Sequence, residues 1–160
     1  MPVVLDKATF QNTLASLPLV TIEAGETVIA DGSRSGKLLI LRTGAVVITK
    51  DGSEIAKVAE PGAVFGELSV LLDQPHRADV RAVETSQFHV AEAATLLAQN
   101  PSAALYVATV LASRLNAANH ALIQLKMQLQ TGEPRQAVVK TVSKMEEVFS
   151  AFGWGALAMR

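Results

Sequence analysis

The hydrophobic rhythm of the chain changes twice. Near the start Phe10, Leu14 and Leu17 recur at steps of four and three behind Asp6, which predicts a short amphipathic helix over residues 6–17 with the aspartate as its cap. Across residues 19–90 the helical period gives way to short β-rich runs. Turn-forming residues separate them at Ala24-Gly25, Asp31-Gly32-Ser33, Thr43-Gly44, Asp51-Gly52-Ser53 and Pro61-Gly62. Strands at this spacing, without long helices between them, predict an antiparallel roll or sandwich. From Ala91 the pattern is helical again, and Asn100-Pro101 marks a break before the longest helix. Along it Leu111, Leu115, Ala118, Leu122, Leu125 and Leu129 alternate steps of four and three, a heptad seam that is expected to meet a copy of itself. Gly132 and Pro134 end that helix. A last helix over residues 134–152 carries Val138, Val142, Met145, Phe149 and Phe152.

Composition narrows the classes without choosing among them. A chain of 160 residues with 49% hydrophobic and 18% charged residues suits one globular domain and excludes disorder. A formal net charge of -1 gives no general attraction to nucleic acid or to an anionic membrane. The absence of cysteine removes disulfides, zinc-thiolate sites and thiol catalysis. The first residues lack the basic start and apolar core of a signal peptide, and no apolar run is long enough to span a bilayer, so a cytoplasmic location is expected. His76, His89 and His120 show no metal-ligand spacing, and no His or Lys is placed to activate Ser69; neither a metal site nor an enzyme is expected. Asp31, Asp51 and Asp73 read as turn formers, and His89 as a strand residue.

Residues 61–81 hold the candidate chemistry. Gly66 lets the backbone approach a ligand without a Cβ. The free amide groups opening the apolar turn after it face outward at the positive end of a local dipole, and Glu67 can accept hydrogen bonds from a sugar. His76 or Arg77 can then close on a phosphate. This order suits a small anionic ligand that carries hydroxyls.

At these residues the chain resembles a known family. Phe65-Gly66-Glu67-Leu68 followed by Pro75-His76-Arg77-Ala78-Asp79-Val80 is similar to the phosphate-binding cassette of cyclic-nucleotide-binding domains, found in catabolite activator proteins of the Crp/Fnr superfamily, in kinase regulatory subunits and in nucleotide-gated channels. Upstream, residues 23–29, 38–46 and 58–62 follow the family's succession of strands and glycine turns, so the likeness covers residues 17–129. It implies a mainly β fold with flanking helices: an antiparallel β-roll, or jelly-roll-like double-stranded β-helix, followed by a long dimerisation helix. Residues 1–132 would form the cyclic-nucleotide-binding domain with its dimer helix at about 101–131, and residues 133–160 a C-terminal amphipathic helix and tail. The ligand implied is cyclic AMP or cyclic GMP, with cyclic AMP preferred. The residues implied to bind it are Phe65, Gly66, Glu67, Leu68, Ser69, His76, Arg77, Ala78 and, from across a homodimer, Asn119.

The family closes its cassette with an arginine. Counting back from Val80 places that arginine at His76, and counting forward from Glu67 with the longer cassette of catabolite activators places it at Arg77. Arg77 is the expected phosphate partner, because a guanidinium is always charged and bidentate. Asp79 stands where the family often has threonine, and would either repel the ligand or pair with Arg77 or Arg81. A DNA-binding regulator would need a helix-turn-helix, whereas the residues after Thr131 read as one amphipathic helix with an apolar tail, so no DNA binding by this chain is expected. The function implied is a stand-alone sensory module that signals through its dimer helix to an unidentified protein. The alternative is a degenerate fold that has lost its ligand and serves as a dimerisation or scaffold domain.

Overall fold

Leu38, Leu39, Ile40 and Leu41 are all buried, and a strand buried at every position needs cover on both faces. The computed structural model describes residues 7–132 and 134–151, with side chains of the last helix described as far as residue 143. It shows two four-stranded antiparallel sheets stacked face to face, with helices over the outer face of one. In chain order the elements are α1 (Lys7–Ser16), β1 (Leu19–Ile22), β2 (Thr27–Ile29), β3 (Lys37–Thr43), β4 (Val46–Lys50), β5 (Ser53–Val58), β6 (Val64–Phe65) and α2 (Glu67–Leu71). There follow β7 (Asp79–Ala82), β8 (Ser86–Glu92), α3 (Ala93–Gln99), α4 (Pro101–Gln130) and α5 (Arg135–Ala151). One sheet runs β1-β8-β3-β6 and the other β2-β7-β4-β5, so strands distant in sequence are neighbours, as in a roll.

The alternation along β3 divides its side chains between two cores. Leu39 and Leu41 face the other sheet and pack with Val46, Ile48, Val58, Phe65 and Phe88. Leu38 and Ile40 face the helices and pack with Phe10, Leu14, Tyr106, Val107 and Val110. Phe65 and Phe88 meet edge to face with ring centroids 6.1 Å apart, a favoured aromatic geometry. The β3–β4 turn passes so close to β8 that a Cβ on Gly44 would lie 2.6 Å from the Ser86 backbone. With φ at +100° as well, only glycine fits there.

Helix α4 is fastened at its start. The Asn100 side chain accepts from the Ala103 amide at 2.9 Å and donates to Thr13 Oγ1 of α1 at 3.0 Å, and Pro101 occupies the first turn, where its missing N–H costs nothing. Further along, the buried Tyr106 hydroxyl donates to the Gly62 carbonyl at 2.6 Å while its ring stacks on Phe10 at 4.1 Å. Burial pushes that hydroxyl's pKa up to about 12, so it remains a donor. The first part of α4 is thereby tied to the turn that leads into the cassette.

Two expectations change in detail. Strand β8 continues past Val90 to Glu92, because the ladder pairs Glu92 with Lys37 and the two side chains form an ion pair. The last helix packs back on α4 and β5, and its covered face is centred on Ala137, Val138 and Thr141, while Val142 is 41% exposed. The apolar stripe expected there is therefore rotated. Met145 and Phe149 lie beyond the described side chains, and Asp6 and Phe152 outside the described residues.

Candidate functional site

Between β6 and α2 the chain turns at Gly66 with φ +91°, and a Cβ there would stand 2.4 Å from the Lys37 carbonyl oxygen. Glycine is required both for the left-handed conformation and for the contact with β3. The turn sends Glu67 inward: its side chain is only 2% exposed. A buried carboxylate needs a partner, and α4 supplies it. Arg114 forms an ion pair with Glu67 Oε1 and donates from Nη2 to the Val64 carbonyl at 2.9 Å. One arginine thus links the long helix to the carboxylate and to the strand before it.

Short hydrogen bonds hold the rest of the cassette. Ser69 is buried and donates to the Gln74 carbonyl at 2.6 Å, closing the loop after α2. Asp73, at φ +48°, pairs with Arg34 at 2.9 Å. The backbone of His76 is fixed twice: its N–H donates to the Ser33 carbonyl at 2.9 Å and its carbonyl accepts from the Gly32 amide at 2.8 Å. These bonds turn the His76 side chain inward, 7% exposed, with Nε2 3.1 Å from Ser35 Oγ. Burial lowers its pKa, and the charge of Glu67 pulls the other way. The next residue, Arg77, is exposed and donates to Gln74 Oε1 at 3.3 Å.

Asp79 pairs with neither Arg77 nor Arg81. Its carboxylate accepts from the Asp31 amide at 2.8 Å, while Arg81 donates to the Gly25 carbonyl at 3.3 Å. Asp79 therefore anchors the backbone of the β2–β3 connection to β7. Asp31 in turn pairs with Lys50 at 2.6 Å.

These groups surround a cavity of about 150 Å³ whose floor is Ile29, Ile48 and Val80. Its walls bring together Phe65, Gly66, Glu67, Leu68, Ser69, His76, Arg77 and Ala78, all residues singled out from the sequence. Leu68 is 46% exposed at the rim. Asn119 is not among the lining residues and lies exposed on α4. Arg114 was missed by sequence reasoning. The signal available was weak: apart from His120, it and Lys126 are the only charged residues on an otherwise apolar and neutral-polar helix. Among the described residues no cluster of three or more His, Asp or Glu side chains forms a metal site, and no helix is long and apolar enough to cross a membrane.

A two-sheet roll with a buried glutamate after a left-handed glycine, a basic pair opposite it and a long helix behind defines a small-ligand regulatory domain. The family model of the cyclic nucleotide-binding domain matches residues 19–100, and the chain belongs to that family. It is 32% identical over 80 residues to a cAMP-dependent protein kinase regulatory subunit of Yarrowia lipolytica, a stretch covering 50% of this chain and 21% of that protein. The chain thus spans about a fifth of that relative. Its fold is shared with the catabolite activator protein of Thermus thermophilus, at a TM-score of 0.61 and 20% identity, over 94% of this chain and 85% of that one. It is also similar to the N-terminal domain of a transcriptional regulator from Streptomyces coelicolor, at a TM-score of 0.55 and 27% identity, over 73% and 89% of the two chains. This is a cyclic nucleotide-binding domain related to kinase regulatory subunits, a family of regulatory and typically non-enzymatic modules.

Proposed function

We propose that the cavity binds a cyclic nucleotide, cyclic AMP in preference to cyclic GMP, and that α4 carries the signal of occupancy through a homodimer. The observation that carries this reading is the inward carboxylate of Glu67 on the cavity wall, held in place by Arg114. A fixed, ionised acceptor suits a ribose hydroxyl. Arg77, whose guanidinium rests on the neutral Gln74 side chain, is the permanent cation for the phosphate. Phe65, Gly66, Leu68, Ser69 and Ala78 shape the wall between them. The preference for cyclic AMP rests on the kinship with a cAMP-dependent kinase subunit.

The dimer rests on α4. Leu115, Leu122 and Leu129 are 63%, 58% and 67% exposed at seven-residue intervals, with Ile123 and Met127 beside them. An apolar stripe of that length on a monomer favours association. In a parallel heptad pair the position of Asn119 faces the position of Arg114 in the other helix, so the partner's Asn119 would stand beside the Glu67–Arg114 pair. Residues 101–131 then form the dimer helix of a domain spanning 1–132, with 133–160 as an appended segment. Because Arg114 touches Glu67 directly, a ligand that competes for the carboxylate would shift α4.

Calorimetric titration with cyclic AMP and cyclic GMP tests the reading. Saturable one-site binding, tighter for cyclic AMP, is expected. The second reading, a scaffold domain that binds no ligand, is favoured by one observation, the buried imidazole at the position where counting back from Val80 places the family's arginine. It predicts no heat of binding from either nucleotide.

A further inference from the structure

We propose, on the reading that this cavity takes a cyclic nucleotide, that His76 is a proton-coupled ligand contact. The phosphate anion binds together with a solvent proton that settles on the imidazole, and affinity falls as pH rises through neutrality. The site would then report ligand and acidity together.

The geometry around the ring supports both charge states without rearrangement. Ser35 Oγ lies 3.1 Å from His76 Nε2 and accepts from the Lys37 amide at 3.2 Å. A hydroxyl has one proton and two lone pairs. It can donate to a neutral Nε2, or turn its proton away and accept from a protonated Nε2–H while keeping the Lys37 bond. The two backbone bonds from the 32–33 turn hold the residue at the cavity wall in either case.

The surrounding charges are largely paired with one another. On α2 Glu67 is paired with Arg114 of α4, and its remaining pull on the ring is outweighed by burial. In the loops on either side Arg34 holds Asp73 and Lys50 holds Asp31. Asp79 is spent on a backbone amide, and Lys37 on Glu92. Arg77 adds positive charge at the rim. A ligand phosphate would therefore be the new charge that decides the state of His76. Desolvation holds the pKa below its ordinary value, so the ring is neutral at neutral pH without an anion beside it. An adjacent anion favours imidazolium and raises the pKa. Affinity is then full below the pKa of the free protein and declines as pH rises through that of the complex. Above it, affinity levels off at the value set by Glu67 and Arg77 alone. The phosphodiester keeps a single charge throughout this range, so the slope belongs to the protein.

The test is calorimetric titration with cyclic AMP from about pH 6 to about pH 8, in two buffers of different ionisation enthalpy, on the wild type, His76→Gln and His76→Arg. The wild type should take up a fraction of one proton and bind roughly tenfold more weakly at the upper pH, within the limit of tenfold per pH unit for one proton. His76→Gln should lose the slope and match the wild type at high pH. His76→Arg should bind tightly at every pH with no proton uptake. A side-chain NMR titration of His76 in the wild type, with and without cyclic AMP, should show the pKa rising on binding even if a variant fails to fold. Binding with flat affinity and no proton uptake overturns the proposal, as does a slope that survives in His76→Gln. Binding by His76→Arg alone overturns it too and favours the scaffold reading. No binding by any of the three refutes the ligand reading on which the proposal rests.

Discussion

The two halves of α4 both carry large apolar side chains and differ in where those side chains go. From Asn100 to Val110 the helix is capped and docked: Ala103, Tyr106, Val107 and Val110 are buried against α1 and β3. Beyond Arg114 most large apolar side chains stand in solvent, with Leu115, Leu122, Ile123, Met127 and Leu129 all more than half exposed. The first half finishes the core of its own chain. The second half buries Ala121 and leaves the heptad-spaced Leu115, Leu122 and Leu129 exposed. Arg114 sits at the junction with its head on Glu67, a residue of the cavity wall. A helix with one half anchored and the other presented is suited to convert a small change at the anchor into a change at the interface.

The sharpest way to break that division is at the junction. Arg114→Met leaves the Glu67 carboxylate buried without its partner, and breaking such a pair should cost about 3–5 kcal/mol in denaturant unfolding. A loss below about 1 kcal/mol would mean that the pair is not closed in solution. Glu67→Ala would perturb ligand contact and the fold together. Removing the carboxylate strands Arg114, so Glu67→Gln, which keeps the shape, is the better probe of ligand contact.

Charges in the second half test the other side of the comparison. Leu115→Glu together with Leu122→Glu should leave the fold of the roll intact and abolish the dimer, read by sedimentation at micromolar concentration. A wild type that is already monomeric there would contradict the interface. In the first half, Asn100→Ala removes the cap and the bond to Thr13, and should lower stability by about 1 kcal/mol without changing assembly.

The smallest effect concerns pH. Burial lowers the pKa of His76 and of His89, the latter also through Arg42. A histidine depressed in the folded state binds fewer protons there than in the unfolded chain, whose value is about 6.5. Its contribution is full above that value and is lost as pH falls through the folded one. Thermal unfolding without ligand should therefore show stability declining from about pH 7 toward pH 5, less so in His76→Gln.

The strand succession, the glycine turns, the cassette and the break at Asn100-Pro101 were legible because each depends on residues close together in sequence. The φ of Gly66, the αL turns at Asp51 and Asp73, and the cap at Asn100 are local events with local signatures. What escaped was set by distant pairing. Arg114 meets Glu67 across 47 residues and Asp79 meets Asp31 across 48, and no periodicity announces either contact. The inward turn of His76 is decided by Ser33 and Gly32 in the β2–β3 connection, so counting along the cassette could not separate it from Arg77. The face of α5 was misjudged for the same reason, since α4 and β5 select which side is covered.

The central claim is that Glu67 receives a ribose hydroxyl in a cavity that α4 monitors. Titration of wild type and Glu67→Gln with cyclic AMP under one buffer condition tests it most directly. A charge-assisted hydrogen bond lost from the complex should weaken binding by on the order of 1.5 to 3 kcal/mol, with both proteins shown folded by circular dichroism. Equal affinity in the two would contradict the claim.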